Sequence, residues 1–186
     1  IMVGEIRDNE TAGLAVHAAL TGHIVLSTIH TNDALGVVPR LLDMKVDSFL
    51  LPSALNLMIA QRLVPVVCPD CKRSEEASAP LQKIIGEALE GLPQDVKGKY
   101  KMPYVVYHGA GCNTCGGKGV KGRMAVYEVL RMTTELADIL SSTVTRQKII
   151  AEAHRQGMIT MRQDGILKAL AGLIPIEALL RETSAE

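Results

Sequence analysis

Two Cys-x-x-Cys pairs, Cys68-Pro-Asp-Cys71 and Cys112-Asn-Thr-Cys115, constrain this chain more than any other feature of its sequence. A two-residue spacing lets one tight knuckle aim two thiolates at one ion. Two knuckles complete the four-sulfur tetrahedron that Zn2+ adopts in closed structural sites. Gly111, Gly116, Gly117 and Gly119 supply the backbone angles such a knuckle needs. The competing readings are four unrelated thiols or a redox pair. A redox Cys-x-x-Cys stands alone at a helix start in a βαβ context. Here two matched pairs each sit in a Gly- or Pro-bearing turn, which favours one Zn2+ held by Cys68, Cys71, Cys112 and Cys115. Nothing else suggests export, so a disulfide framework is not expected. The gap from 72 to 111 is longer than in a minimal zinc ribbon and can form a looped-out subdomain.

Upstream of the first knuckle the pattern is that of an α/β sheet. Ile1 to Val3 reads as a buried strand ending at Gly4-Glu5, with Asp8 or Asn9 placed to cap a helix through about Leu20. Gly22 fits the position after that helix, where a left-handed backbone is cheap only without a Cβ. His23 to Thr28 reads as a second buried strand, apolar on consecutive residues, as in sheets covered on both faces. After the polar turn His30-Thr31-Asn32-Asp33 a helix runs through Leu42 and Met44, kinked or delayed by Pro39. Ser48 to Leu63 reads as another helix, with Pro52 in its first turn. Strand–helix–strand–helix order is the signature of a parallel sheet. Beyond the first knuckle the spacing predicts an amphipathic segment over 80–92 and a strand over 122–130. Helices follow near 134–141, 146–156, 161–171 and 175–181. No Met start, cap or turn precedes the strand at Ile1, which is expected of a chain that continues upstream.

Glu5 closes a strand at the sheet edge that faces phosphates and their Mg2+ in nucleotide-binding α/β proteins. A carboxylate there can hold the ion directly or through water, and an ordinary loop acid has the same pattern. His23 and His30 stand at opposite ends of the second strand, about 20 Å apart if it is fully extended. Each histidine, taken alone, reads as structural sooner than catalytic. His30, with Ser27, Thr28, Thr31 and Asn32 nearby, shares its end with Glu5 and is the better candidate for a phosphate edge.

Charge and composition narrow the functional classes. Lys plus Arg number 20 and Asp plus Glu number 20, and aromatic residues make up 3%. Binding to nucleic acid rests on a basic excess and on stacking platforms; the chain has no basic excess overall and few stacking platforms, so no nucleic-acid partner is expected. The alternative, a zinc-ribbon nucleic-acid module with a basic face of Lys97, Lys99, Lys101, Lys118, Lys121 and Arg123, has the bland reading of a solvated loop. No apolar run approaches the roughly 18 residues of a membrane span, and residues 1–30 carry no signal-peptide pattern. Cys112 to Gly119 resembles one knuckle of the J-domain chaperones. The first pair lacks the following glycines, so that likeness is local, and a zinc chaperone module is the weaker third reading.

Taken together the segments resemble those of the type II secretion and type IV pilus assembly ATPases. Ile1-Met2-Val3-Gly4-Glu5-Ile6-Arg7-Asp8 looks like their Walker B segment, and Thr21 to Asn32 looks like their histidine box. Ala60-Gln61-Arg62-Leu63 followed by Cys68 to Lys72 resembles the start of their zinc subdomain, and Gly111 to Cys115, Gly122-Arg123 and Tyr127-Glu128-Val129 resemble its end. The resemblance covers nearly the whole chain. It implies an α/β fold, a partial RecA-like P-loop NTPase domain with a parallel sheet, an inserted four-cysteine zinc subdomain and a C-terminal helical bundle. The corresponding segments are 1–67, 68–123 and 124–186. It implies ATP and Mg2+ as cofactors, with Glu5 helping to hold Mg-ATP and His23 and His30 tuning or sensing the γ-phosphate. It implies a cytoplasmic homo-hexamer, peripheral to the inner membrane, working with platform and assembly proteins there. The four cysteines favour the assembly or secretion branch, because retraction members generally lack them. The P-loop and the acidic box that supplies a general base are absent from 1–186, so this chain alone is expected to be inactive. Nothing identifies Arg123 as an arginine finger, and Pro39 departs from the pattern.

Overall fold

The computed structural model describes residues 1–142 and 144–183. The chain forms two compact units, Ile1–Ala60 with Val129–Met158, and Gln61–Glu128 with Ile159–Glu186.

In the first unit β1 (Met2–Ile6) and β2 (Leu26–Ile29) are parallel neighbours, with Met2 opposite Leu26, Val3 opposite Ser27 and Ile6 opposite Ile29. They are joined by α1 (Asn9–Leu20), whose N-cap is Asp8; its carboxylate accepts from Thr11 N at 2.8 Å. Gly22, at φ +90°, follows the helix as expected. The second strand begins at Leu26, not His23. Neither strand is buried: Met2 is 82% exposed and Leu26 61%, and Ile24, just ahead of β2, is 81% exposed. A two-stranded sheet packed on α1 covers only part of its surface, so the apolar runs stay open in this chain.

Pro39 delays the helix instead of kinking it. It is the third residue of α2 (Val37–Asp43), inside the first turn, where a missing N–H costs no intrahelical bond. The helix expected over Ser48 to Leu63 is not formed. A 3-10 turn (Ser48–Leu50) and α3 (Leu51–Ala54), with Pro52 near its start, give way to the strand β3 (Leu57–Val67). Buried Met58 and Val64 point away from exposed Leu57, Ile59 and Leu63, the alternation of a strand. Its partner is β6 (Val120–Arg131), far along the chain, and that pairing overrides local helix propensity.

The first unit closes with α6 (Thr134–Leu140) and α7 (Arg146–Arg155), each started by a threonine hydroxyl that accepts a first-turn N–H. Val38, Leu51, Leu130, Leu136, Leu140 and Ile149 are fully buried in one cluster with Leu41. Each such side chain contributes about 1.5–3 kcal/mol by leaving water.

In the second unit β4 (Lys72–Glu76) and β5 (Val105–Gly109) form an antiparallel pair. The hydrophilic β4 sequence gives no strand signal. Helices α4 (Ala79–Glu90) and α5 (Gln94–Lys97) lie between them in the chain, and α8 (Met161–Leu170) and α9 (Ile176–Glu182) complete the unit. Thr160 and Gln163 form a capping box at α8. Buried Glu128 of β6 accepts from Met161 N at 3.1 Å, fixing the start of that helix. The four C-terminal helices thus divide between the units, α6 and α7 with the first and α8 and α9 with the second.

Candidate functional site

Two sites emerge, one in each unit. In the first, the parallel pair brings Glu5 and His30 together at one sheet edge. His30 Nε2 lies 3.0 Å from Glu5 Oε2, and Arg7 Nε donates to the same oxygen at 2.6 Å. The Glu5 side chain is 34% exposed, so solvent or a ligand reaches the carboxylate. The Arg7 hydrogen bond, then that of His30, holds its carboxyl below the ordinary value, and Glu5 is ionised at neutral pH. An ionised, accessible carboxylate with a flanking imidazole can bind a hydrated divalent cation and donate a hydrogen bond beside it.

His23 is not part of this edge. It sits at the other end of β2, where Nδ1 lies 3.2 Å from both Thr21 Oγ1 and Ala18 O and finishes the C-terminus of α1. The hydroxyls near His30 are used within the fold: Thr28 Oγ1 donates to Gly4 O at 2.8 Å and Thr31 Oγ1 to Asp33 O at 2.9 Å. Sequence reading missed Arg7 as a partner of Glu5, although an i, i+2 spacing at a strand end puts both on one face. It also missed Asp33, whose carboxylate meets Arg146 Nη2 at 2.6 Å from 113 residues away. No local pattern links those two.

In the second unit the four cysteines converge. Their sulfurs all lie within 4.8 Å of one another. Cys68 and Cys112 are 3.8 Å apart at Sγ, Cys71 and Cys115 3.9 Å, and Cys112 and Cys115 3.8 Å. A tetrahedral ion with bonds of about 2.3 Å to sulfur requires edges of about 3.8 Å, so this donor set fits a single zinc ion. The knuckles are locked by backbone bonds. Cys68 N donates to Gly119 O at 2.9 Å and Ala110 N to Cys71 O at 2.9 Å. Cys115 Sγ accepts from Cys112 N at 3.3 Å and Gly119 N at 3.2 Å. Those N–H groups favour the thiolate and pull the Cys115 thiol down to about 6. Burial pushes the Cys71 thiol up to about 12. Gly109 and Gly119 approach so closely that a Cβ on Gly109 would overlap the Gly119 carbonyl.

The chain is an α/β protein with an acid and a histidine at the C-terminal edge of its parallel strand pair and a four-thiol cage in its second unit. Its fold is similar to part of the Legionella pneumophila ATPase DotB, with a TM-score of 0.62 and 22% identity over 100% of this chain and 38% of that one. The chain belongs to the type II/IV secretion system protein family, whose model matches residues 1–181. It is 40% identical to the type IV pilus assembly ATPase PilB of Myxococcus xanthus over 100% of this chain and 31% of that protein. It is equally 40% identical to the type II secretion system ATPase E of Vibrio cholerae, over 98% of this chain and 34% of that protein. The chain thus spans about a third of the length of these relatives. No helix among the described residues is long and apolar enough to cross a membrane.

Proposed function

We propose that this chain forms part of a hexameric motor ATPase that powers pilin or pseudopilin assembly, or type II secretion, from the cytoplasmic side of the inner membrane. The observation that carries this reading is the contact of Glu5 with His30 at the C-terminal edge of a parallel strand pair, where α/β sheets bind nucleotide. Glu5 would help to hold the Mg2+ of Mg-ATP, which neutralises charge developing on the phosphates. His30 would sit beside the γ-phosphate and report its presence. His23, held at the far end of β2 by Thr21 and Ala18, would act on the edge only through the strand. Zinc would occupy the cage of Cys68, Cys71, Cys112 and Cys115 as a structural ion, supported by sulfur separations that match a tetrahedral shell.

No Gly-x-x-x-x-Gly-Lys-Ser/Thr loop occurs between Ile1 and Glu186. Phosphoryl transfer depends almost wholly on positioning and charge stabilisation, so half a site supplies almost none of the rate. The test is phosphate release by this 186-residue chain beside the full-length protein. The full-length protein is expected to turn over ATP and the chain alone to show no release above background. Comparable turnover by the chain alone would refute this placement of the active site.

A further inference from the structure

We propose that Arg146 is a positioning residue for the loop that carries His30, acting through Asp33 to set turnover of a nucleoside triphosphate. The inference rests on the reading of the Glu5–His30 edge given above. Asp33 ends the polar turn after β2, and both of its carboxylate oxygens are used. Oδ1 accepts from Gly36 N at 2.6 Å and closes the turn into α2; Oδ2 accepts from Arg146 Nη2 at 2.6 Å. The Asp33 carbonyl accepts from the Thr31 hydroxyl, one residue beyond His30. The route from Arg146 to His30 therefore runs through one carboxylate and three residues of chain.

Three features set this contact apart from an ordinary surface ion pair. The Asp33 side chain is only 16% exposed, so the charge-assisted bond is less screened than a surface pair. Arg146 is the first residue of α7, the end of a helix where the backbone dipole disfavours a cation. Thr145 already caps that end by accepting from Lys148 N, so Arg146 has no role in starting the helix. An arginine at odds with its local position is accounted for by its tertiary partner. The platform behind it is rigid. Glu152 of α7, nearly inaccessible at 3% exposure, binds Thr133 and Arg155, and Gln156 grips the Arg131 backbone at the end of β6.

Arg146 does not touch Glu5, so its loss should not alter nucleotide affinity directly. It should let the His30 loop drift. A displacement of about 1 Å in a positioned group can cost on the order of 100-fold in rate; a partly exposed tether should cost less.

The experiment compares Arg146→Gln, Arg146→Lys, Asp33→Asn and the Arg146→Gln/Asp33→Asn double variant in the full-length protein, with Glu5→Gln as reference. ATP turnover and thermal midpoint are measured for each. The expected result is a fall in kcat of about tenfold for Arg146→Gln, with KM for ATP changed by less than about twofold. The midpoint should stay within a few degrees of the parent. Lysine should restore part of the rate, and the double variant should be no worse than the single ones. Unchanged kcat in Arg146→Gln beside a collapsed Glu5→Gln would overturn the inference and leave the site reading standing. A lowered midpoint with kcat and KM moving together, and no recovery with lysine, would also overturn it in favour of a purely structural contact. Unchanged turnover in Glu5→Gln would instead overturn the site reading itself.

Discussion

Replacing Glu152 by glutamine should cost the first unit about 3 kcal/mol. The carboxylate is 3% exposed and accepts four hydrogen bonds, from Arg155 Nε at 2.6 Å, Arg155 Nη2 at 2.9 Å, Thr133 Oγ1 at 2.6 Å and Gln156 Nε2 at 2.9 Å. Those donors, Arg155 first, pull its carboxyl from the ordinary 4.5 down to about 2. Each unit of such a shift corresponds to about 1.4 kcal/mol of preference for the charged form, hence about 3 kcal/mol in all. Breaking a buried pair by removing one partner costs about 3–5 kcal/mol. Arg155 is half exposed and regains water, so the lower end applies. The glutamine amide would also turn an N–H toward donors. The folded pKa is depressed, so this stability is fully present above about pH 4.5 and is lost as pH falls toward 2. The chain has no tryptophan, which makes far-UV circular dichroism in urea the suitable probe. The parent should exceed Glu152→Gln by about 3 kcal/mol at pH 7, and the gap should close between pH 4.5 and 2. A gap below about 1 kcal/mol at pH 7, or one that persists unchanged to pH 2, would show that the Glu152 carboxylate is not stabilised by these donors.

Two further outcomes are expected. Stripping zinc with a chelator should loosen the cysteine knuckles and also α8–α9, because Val67 N donates to Leu173 O at 2.9 Å and Lys72, stacked 4.5 Å from the Tyr107 ring, lies against Gly172. Hydrogen exchange should show protection falling there while α1, β1 and β2 keep theirs; structural zinc is worth roughly 10–16 kcal/mol in small fingers, so an unchanged second unit would contradict its role. Gly109→Ala should reduce zinc retention, since the added Cβ would displace Gly119, which binds both Cys68 and Cys115. Zinc stoichiometry after dialysis checks it, and full occupancy would show that the backbone absorbs the clash.

What could be read from the sequence was set by short-range chemistry. The cysteine spacing, the Asp8 cap, β1, α4 and the last four helices depend on neighbours within a few residues. Each lies within a few residues of its expected place. Glu5 and His30 were matched because parallel strands put their C-terminal ends on one edge. The misses are long-range. β3 has apolar residues at spacings that suit a helix, and only its pairing with β6 makes it a strand. β4 is hydrophilic and takes its form from β5. The apolar runs of β1 and β2 imply burial that two strands and one helix do not provide. The Asp33–Arg146 bond joins residues that share no motif.

Whether the Glu5–His30 edge holds the phosphates is tested most simply by Glu5→Gln in the full-length protein, assayed for both ATP turnover and nucleotide binding. Glutamine keeps the size of the side chain and removes the charge that Arg7 and His30 hold in place. If that charge serves the metal of Mg-ATP, hydrolysis should fall by about 100-fold or more while nucleotide affinity changes by less than about tenfold. Turnover equal to the parent, with Mg2+ dependence unchanged, would show that the edge formed by Glu5 and His30 is not where the phosphates are cleaved.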